Sequence, residues 1–403
     1  MENIIDKSSG VVKPGVGDRI NGLGYLMVAY FLVTTVVGAG FLSLPKAVAN
    51  TGWIGIPLIL LFGGSVGFAV TRLGRTWLIL EERWPKYREP ARQPYMDMAE
   101  KAFGTIGRRI CFGCVMFTLV GDGIAFLVLM AGMVNSIIPA VSVLVSIFAV
   151  VATGVTIVAI LIQLFLDIPL HPDPQYPNPT IKSFFLGFSA IVFAFGGVSV
   201  FPTLQNDMAN RREWWKSVII GFAVIFALYL PVTIAGYVII GVDVSSNILL
   251  DASSGVNITI AITLNVVNLL MTYIICFNPV AQALEDICNV PNSFNWKRVL
   301  LRTAVVVFEV FFALAVPDFG AILNLIGGST ISILSFIFPP LMYMRLTDMT
   351  RDETWHEDAK DRTIPLWERI YLWMIVVVAA IGSVMSTVFA LMVILDPETL
   401  GAS

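Results

Sequence analysis

The sequence predicts an all-α polytopic membrane protein organised around two interrupted helices. Three observations carry that prediction. Of 403 residues, 57% are hydrophobic and only 13% charged, with a mean hydropathy of +0.83. A soluble domain is about 25% charged and about 45–50% apolar. Apolar runs of about 20 residues, the length that crosses a bilayer, recur along the whole chain. The first of them carries Gly38-Ala39-Gly40-Phe41-Leu42-Ser43-Leu44-Pro45, where two glycines and then a proline weaken the helix. In lipid such a break is tolerated only where the freed peptide groups face protein, water or a bound solute.

Ten runs are read as spans: approximately 25–48, 53–80, 110–138, 141–166, 183–203, 217–241, 258–284, 299–316, 320–345 and 369–396. They form one membrane domain over 25–396, between an N-terminal tail at 1–24 and a short C-terminal tail at 397–403. The longer links are the charged stretch 81–109, the proline-rich 167–182 and the polar 346–368. In His171-Pro-Asp-Pro-Gln-Tyr-Pro-Asn-Pro each proline pushes its predecessor out of the α region, so this link is expected to be extended.

Basic residues orient the spans. Arg83, Lys86, Arg88, Arg92, Lys101, Arg108 and Arg109 place the second link in the cytoplasm, together with the N-terminal tail bearing Lys7, Lys13 and Arg19. The same rule makes cytoplasmic the links with Arg211, Arg212 and Lys216, with Lys297, Arg298 and Arg302, and with Arg351, Lys360 and Arg362. The 242–256 link has no Lys or Arg and belongs outside. Ten strict crossings contradict this assignment from Arg211 onwards. Either one crossing is absent between Arg109 and Arg211, or one of the three runs there does not span. Three crossings do not fit in 110–166, because 57 helical residues reach about 85 Å and three hydrocarbon thicknesses take about 90 Å.

Internal symmetry points to the same place. Phe193-Ala194-Phe195-Gly196-Gly197 is a second interruption, and paired interrupted spans mark an inverted repeat. Five runs follow from the second break, but only four precede it from the first. The missing member is the fourth, at Ile138-Pro139-Ala140.

At a broken helix the second half presents free amides and a positive dipole end. The amides of Ala39, Gly40 and Phe41, following Gly38, are candidates to hold a carboxylate. The carbonyls of Val36, Val37, Ala194 and Phe195, beside Gly196 and Gly197, are candidates to accept from an ammonium. The alternative for the glycines is close helix packing through small residues. Such a site reads the backbone of a zwitterion and leaves side-chain selectivity to pocket size, with Phe195 and Val198 as walls.

Gly38-Ala39-Gly40-Phe41-Leu42-Ser43-Leu44-Pro45-Lys46-Ala47, followed by Gly52-Trp53-Ile54-Gly55, resembles the opening signature of the amino acid/auxin permease family. Phe193 to Gly197, with Phe201-Pro202-Thr203-Leu204-Gln205-Asn206-Asp207-Met208, is similar to that family's sixth helix. Val316-Pro317-Asp318-Phe319-Gly320 with Ile326-Gly327 resembles its ninth-to-tenth link. The resemblance covers about 20–396. It implies the leucine-transporter-like architecture with eleven helices and a cytoplasmic N-terminus, against about ten here.

Ionisable residues inside a span are functional candidates. Asp122 and Glu309 qualify as proton-coupling carboxylates, or as partners of a neighbouring helix. Asn265, Asn268 and Thr272 share one helical face; they line a permeation path or bond between helices. Thr34 stands where sodium-coupled relatives are expected to have an asparagine ligand, which favours a proton over sodium as coupling ion. Lys46 is placed at a cavity rim or snorkels to the interface. Cys111 and Cys114 have no matching pair in Cys276 and Cys288, and His171 and His356 lie in links, so no metal site is expected. The Asn257-Ile258-Thr259 sequon abuts the membrane. With no nucleotide-binding loop or nucleophile elbow, neither an ATP-driven pump nor an enzyme is expected, and no cofactor. A net charge of −3 gives no reason to expect nucleic acid.

The resemblance implies a secondary carrier for small neutral amino acids, working by alternating access in a lipid bilayer. A channel and a non-transporting sensor or assembly subunit remain as alternatives. The membrane (plasma, lysosomal or vesicular) and the oligomeric state are left open.

Overall fold

The computed structural model describes residues 4–5, 12–13, 22–89, 91–134, 147–253, 255–291, 295–316, 318–351, 354–357, 359 and 361–395. The two tails, apart from their few described residues, and the Ile138-Pro139-Ala140 junction lie outside that set. Apart from the two-residue pairing of Ile4–Ile5 with Val12–Lys13, the described fold is helical.

In chain order, α1 (Tyr25–Val36) and α2 (Gly40–Thr51) form the first broken rod, and α3 (Gly55–Arg83) returns. Next come α4 (Pro94–Val134) and α5 (Ile147–Leu166). The second broken rod is α6 (Ile181–Ala194) with α7 (Phe201–Asn206). After it come α8 (Trp214–Ile240), the single turn α9 (Ile248–Asp251), α10 (Val256–Ile287) and α11 (Trp296–Ala315). A tenth rod joins α12 (Phe319–Ile326) to α13 (Phe338–Thr347) through two π-helical stretches, Gly327–Ile331 and Ile333–Ile337. α14 (Leu366–Leu395) closes the chain. Six of the helices are by themselves long and apolar enough to cross a membrane; the broken rods, α5 and α11 bring the count among the described residues to ten. This is a polytopic membrane protein.

The basic links gather at one end of the bundle. Leu23 and Met208 pair there through Leu23 N–H to the Asp207 carbonyl (2.8 Å) and Ala209 N–H to the Leu23 carbonyl (2.9 Å). Arg211 forms a buried ion pair with Glu81 at 2.7 Å and donates to the Asn206 carbonyl. Arg83 donates to the carbonyls of Leu346 and Thr347 and stacks on Trp355. At the opposite end the proline-rich link meets the 241–255 link, through Val242 N–H to the Gln175 carbonyl (3.0 Å) and the triad Trp53, Tyr176 and Tyr237. Residues 171–180 are free of helix, as the prolines require.

The parity break has a direct structural expression. α4 runs antiparallel to α10: Met133 meets Asn265, and Asp122 lies within electrostatic reach of Cys276. α5 also runs antiparallel to α10, with Thr153 against Asn268, Thr156 against Ala261 and Gln163 against Ser253. Two consecutive rods therefore point the same way. The 12 residues between them, 135–146, would rise about 18 Å as helix, short of the about 30 Å of hydrocarbon. The parallel course of α4 and α5 falls at the place where the sequence reading sets the missing crossing.

One boundary differs from the sequence reading. The third rod starts at Pro94, not near 110, and residues 94–109 are helical with a kink at Gly104 (φ 72°). Of the charges that marked this stretch as a link, Arg108 pairs across the kink, reaching Glu100 at 2.6 Å and Asp97 at 3.2 Å.

Candidate functional site

The two breaks cross at the centre of the bundle. α1 ends at Val36, whose successor Val37 has ψ 71°. The Gly38 amide turns back to the Val36 carbonyl at 2.9 Å. α2 then starts at Gly40 with Ala39 as N-cap, and no side chain caps its free amides. α6 ends at Ala194, and Gly197 takes φ 95°, a left-handed conformation open to glycine.

Contact between the breaks requires Gly40. A Cβ there would lie 2.5 Å from the Ala194 Cα and 3.3 Å from its amide nitrogen, all backbone that has nowhere to go. A Cβ on Gly197 would lie 3.0 Å from the Thr35 Cγ2. Gly38 is different. It is buried, yet a Cβ on it would meet nothing within 4 Å. A small open space therefore lies beside the first break, walled off from solvent.

Tyr229 of α8 occupies the junction. Its hydroxyl donates to the Val36 carbonyl at 2.9 Å and to the Ala194 carbonyl at 2.8 Å, so one buried side chain serves both freed helix ends. Buried tyrosine hydroxyls find partners, but no spacing rule tells a reader that Leu228-Tyr229-Leu230 in an apolar run reaches two breaks 35 and 193 residues away. The Phe195 ring is 0% exposed and packs on Phe222, Phe226 and Tyr229. It is used in packing α6 against α8.

A cavity lies on each side of this crossing. Towards the end carrying the 241–255 link, a space of about 530 Å³ is lined by Ser43, Lys46, Asn50, Lys182, Asp318 and Asn324. Lys46 sits at its rim, donating to the Val242 carbonyl at 3.1 Å. Towards the basic end, a space of about 240 Å³ is bounded by Gln93, Tyr95, Ser199, Thr203, Gln282 and Asp286. The first reaches Ser43, one turn into α2. The second reaches Ser199 and Val200 within the second break.

The remaining candidates lie away from the crossing. Glu309 is 1% exposed. Its carboxylate accepts from the Tyr273 hydroxyl at 2.7 Å and lies against Gly123, where a Cβ would sit 3.1 Å from it. Asp122 is the neighbour of that glycine, and Cys276 lies within electrostatic reach of both carboxylates. The two acids thus share the α4–α10–α11 interface. Asn268 donates to Thr153 at 3.1 Å, Asn265 reaches the Met133 sulfur, and the Thr272 hydroxyl returns to the Asn268 carbonyl. This face joins α10 to α4 and α5. The Thr34 hydroxyl bonds its own helix at the Tyr30 carbonyl.

The π-helical stretch was not legible in advance. Ile331 packs on Gly196, and the Thr118 hydroxyl donates to Thr330 at 2.7 Å, so this stretch touches the second break and α4 together. Its sequence signal is the small-residue run Gly327-Gly328-Ser329-Thr330, and π-bulges are frequent at functional sites.

The chain matches the family described as transmembrane amino acid transporter protein over residues 21–166 and 141–389. The two stretches overlap over residues 141–166, which include α5. Amino acid transporter AVT1B of Arabidopsis thaliana is 23% identical over 353 residues, 78% of this chain and 63% of that protein. AVT1J of the same plant is 26% identical over 352 residues, covering 78% and 81% respectively. AVT3C, also from that plant, is 24% identical over 414 residues, 89% of each chain. This chain thus spans less than two thirds of AVT1B.

Proposed function

The chain belongs to the transmembrane amino acid transporter family, a family of transporters and not of enzymes, and from that premise we propose that it moves small neutral amino acids by alternating access about the two breaks. The observation that carries this reading is the enclosed space at Gly38, between uncapped α2 amides and the C-terminal ends of α1 and α6, with one cavity on either side. The amides of Ala39, Gly40 and Phe41 hold the carboxylate, favoured by the positive end of α2. The carbonyl ends of α1 and α6, including those of Val37 and Phe195, face the ammonium. Helix-terminus recognition of this kind reads the zwitterion, and the space beside Gly38 would receive the side chain, whose size it limits.

Alternating access follows from the crossing. Contact between α2 and α6 at Gly40 separates the two cavities, and movement of the broken rods relative to α4 and α10 opens one while closing the other. The two rods run in opposite directions through the bundle, as an inverted repeat requires. Proton coupling is assigned to Glu309, a buried carboxylate, and the half-buried Asp122, beside a moving interface, with sodium the less favoured ion. By the distribution of basic links, the end bearing Leu23 and Arg211 is cytoplasmic.

Uptake of a panel of radiolabelled amino acids by purified protein in liposomes, at two external pH values, tests this. Saturable uptake of alanine, glycine or serine that rises with an inward proton gradient is the expected result. Flat uptake of every amino acid would overturn it. The parallel course of α4 and α5 favours a second reading, a sensor or assembly subunit that binds without transporting. Alanine binding without uptake, with uptake restored by inserting a relative's fourth helix, would select that reading.

A further inference from the structure

We propose that Tyr229 is the positioning residue of the amino-group subsite, its hydroxyl spacing the Val36 and Ala194 carbonyls so that the Ala194 oxygen receives an ammonium. The inference rests on the amino acid transport reading above. Val36 is the last residue of α1 and Ala194 the last of α6, so two helix C-terminal ends, each with partial negative charge, converge on one point. Convergent negative ends in a buried place call for a cation or a donor. Two donors meet these ends among the described residues: the Gly38 amide, 2.9 Å from the Val36 oxygen, and the Tyr229 hydroxyl, 2.9 Å and 2.8 Å from the Val36 and Ala194 oxygens.

A hydroxyl carries a single proton, and each carbonyl has two lone pairs. The Val36 oxygen takes its second bond from the Gly38 amide at 2.9 Å, so acceptor capacity remains on the Ala194 oxygen, where α6 meets Gly40. An ammonium, with three protons and a full charge, suits what remains. The tyrosine itself cannot move aside. It is 0% exposed, its ring packs 5.7 Å from Phe195, and its own carbonyl accepts from Thr233 at 2.7 Å. It acts as a fixed strut that spaces the two helix ends, and touches substrate only through them.

The test separates amino-group from carboxylate recognition. In proteoliposomes, Tyr229→Phe is expected to raise KM for L-alanine about threefold to tenfold, as loss of one buried hydrogen bond implies, with kcat changed by less than about twofold. Inhibition of uptake by propionate, which has the carboxylate but no amino group, is expected to stay unchanged. If alanine and propionate weaken together alongside a lower melting temperature, Tyr229 is a structural tie only. If neither changes, the subsite does not depend on it. Either result overturns the inference. As a second readout that keeps the hydrogen bond, fluorotyrosine at position 229 should show a ¹⁹F shift with alanine and none with propionate; no shift with alanine, in protein that takes it up, also overturns it. Wild-type protein that takes up no amino acid overturns the transport reading itself, a separate failure.

Discussion

Alanine at Gly40 and at Gly38, two residues apart, should produce opposite kinds of damage. At Gly40 the new methyl would stand 2.5 Å from the Ala194 Cα and 3.2 Å from its Cβ. Both belong to a helix end fixed by Tyr229, so relief requires the broken rods to separate. Overpacking of this sort costs about 1–3 kcal/mol, or about 5- to 150-fold in the population of the closed crossing. At Gly38 the methyl meets nothing within 4 Å and the backbone φ is not positive, so stability should be nearly unchanged. The methyl instead takes space assigned to the substrate. Thermal unfolding in detergent, paired with alanine and glycine uptake in liposomes, distinguishes them. G40A should melt several degrees lower with uptake impaired for both amino acids. G38A should melt like wild type and lose alanine uptake more than glycine uptake. G40A as stable as wild type, or G38A the less stable of the pair, would refute the argument that the breaks touch at one and leave space at the other.

Glu309→Gln and Asp122→Asn should each flatten the response of uptake to external pH while leaving amino acid exchange between equal pools; an unchanged pH response in both variants removes these carboxylates from coupling. Arg211→Ala breaks a buried ion pair, in which the Glu81 side chain is 0% exposed and 2.7 Å from the guanidinium, and should destabilise the fold, read as early thermal unfolding in detergent. Asp167 offers a pH test outside the membrane spans. Burial pushes its carboxyl up, but hydrogen bonds from the Ser253 amide and hydroxyl and from Gln163 outweigh that, and the net shift is downward. A lowered folded pKa contributes stability that is present above the unfolded value of about 3.9 and is lost as pH falls through the folded one. Hydrogen exchange of the 250–253 backbone should therefore quicken only below about pH 4, and Asp167→Asn should abolish that acid step while raising exchange at neutral pH.

Much of this architecture was legible in the chain, because the bilayer leaves few solutions. Two breaks, at Gly38–Gly40 and Phe195–Gly197, stand out where an apolar helix has no reason to carry paired glycines. Basic residues sort the links to one end, and the conflict between that sorting and a count of ten located the absent crossing at the junction where α4 and α5 run in parallel. What stayed hidden depends on packing between distant segments. Tyr229 in an apolar run is one side chain among many until α8 is laid against both breaks. Asn265 and Asn268 share a helical face whether that face borders a path or another helix, and only the position of Thr153 on α5 places it at an interface. Likewise the charges at 97–108 read as a link, whereas the chain there is helical, with Arg108 reaching Glu100 across the Gly104 kink.

The central claim is that exposed peptide groups at two crossed breaks hold the zwitterion. A cryo-EM structure of the protein in nanodiscs with saturating L-alanine tests it most directly. The account predicts density beside Gly38, the carboxylate against the amides of Ala39 to Phe41 and the amino group facing the carbonyls of Val36 and Ala194. Alanine held by side chains in the cavity lined by Lys46 and Asp318, with no density between the breaks, would contradict it.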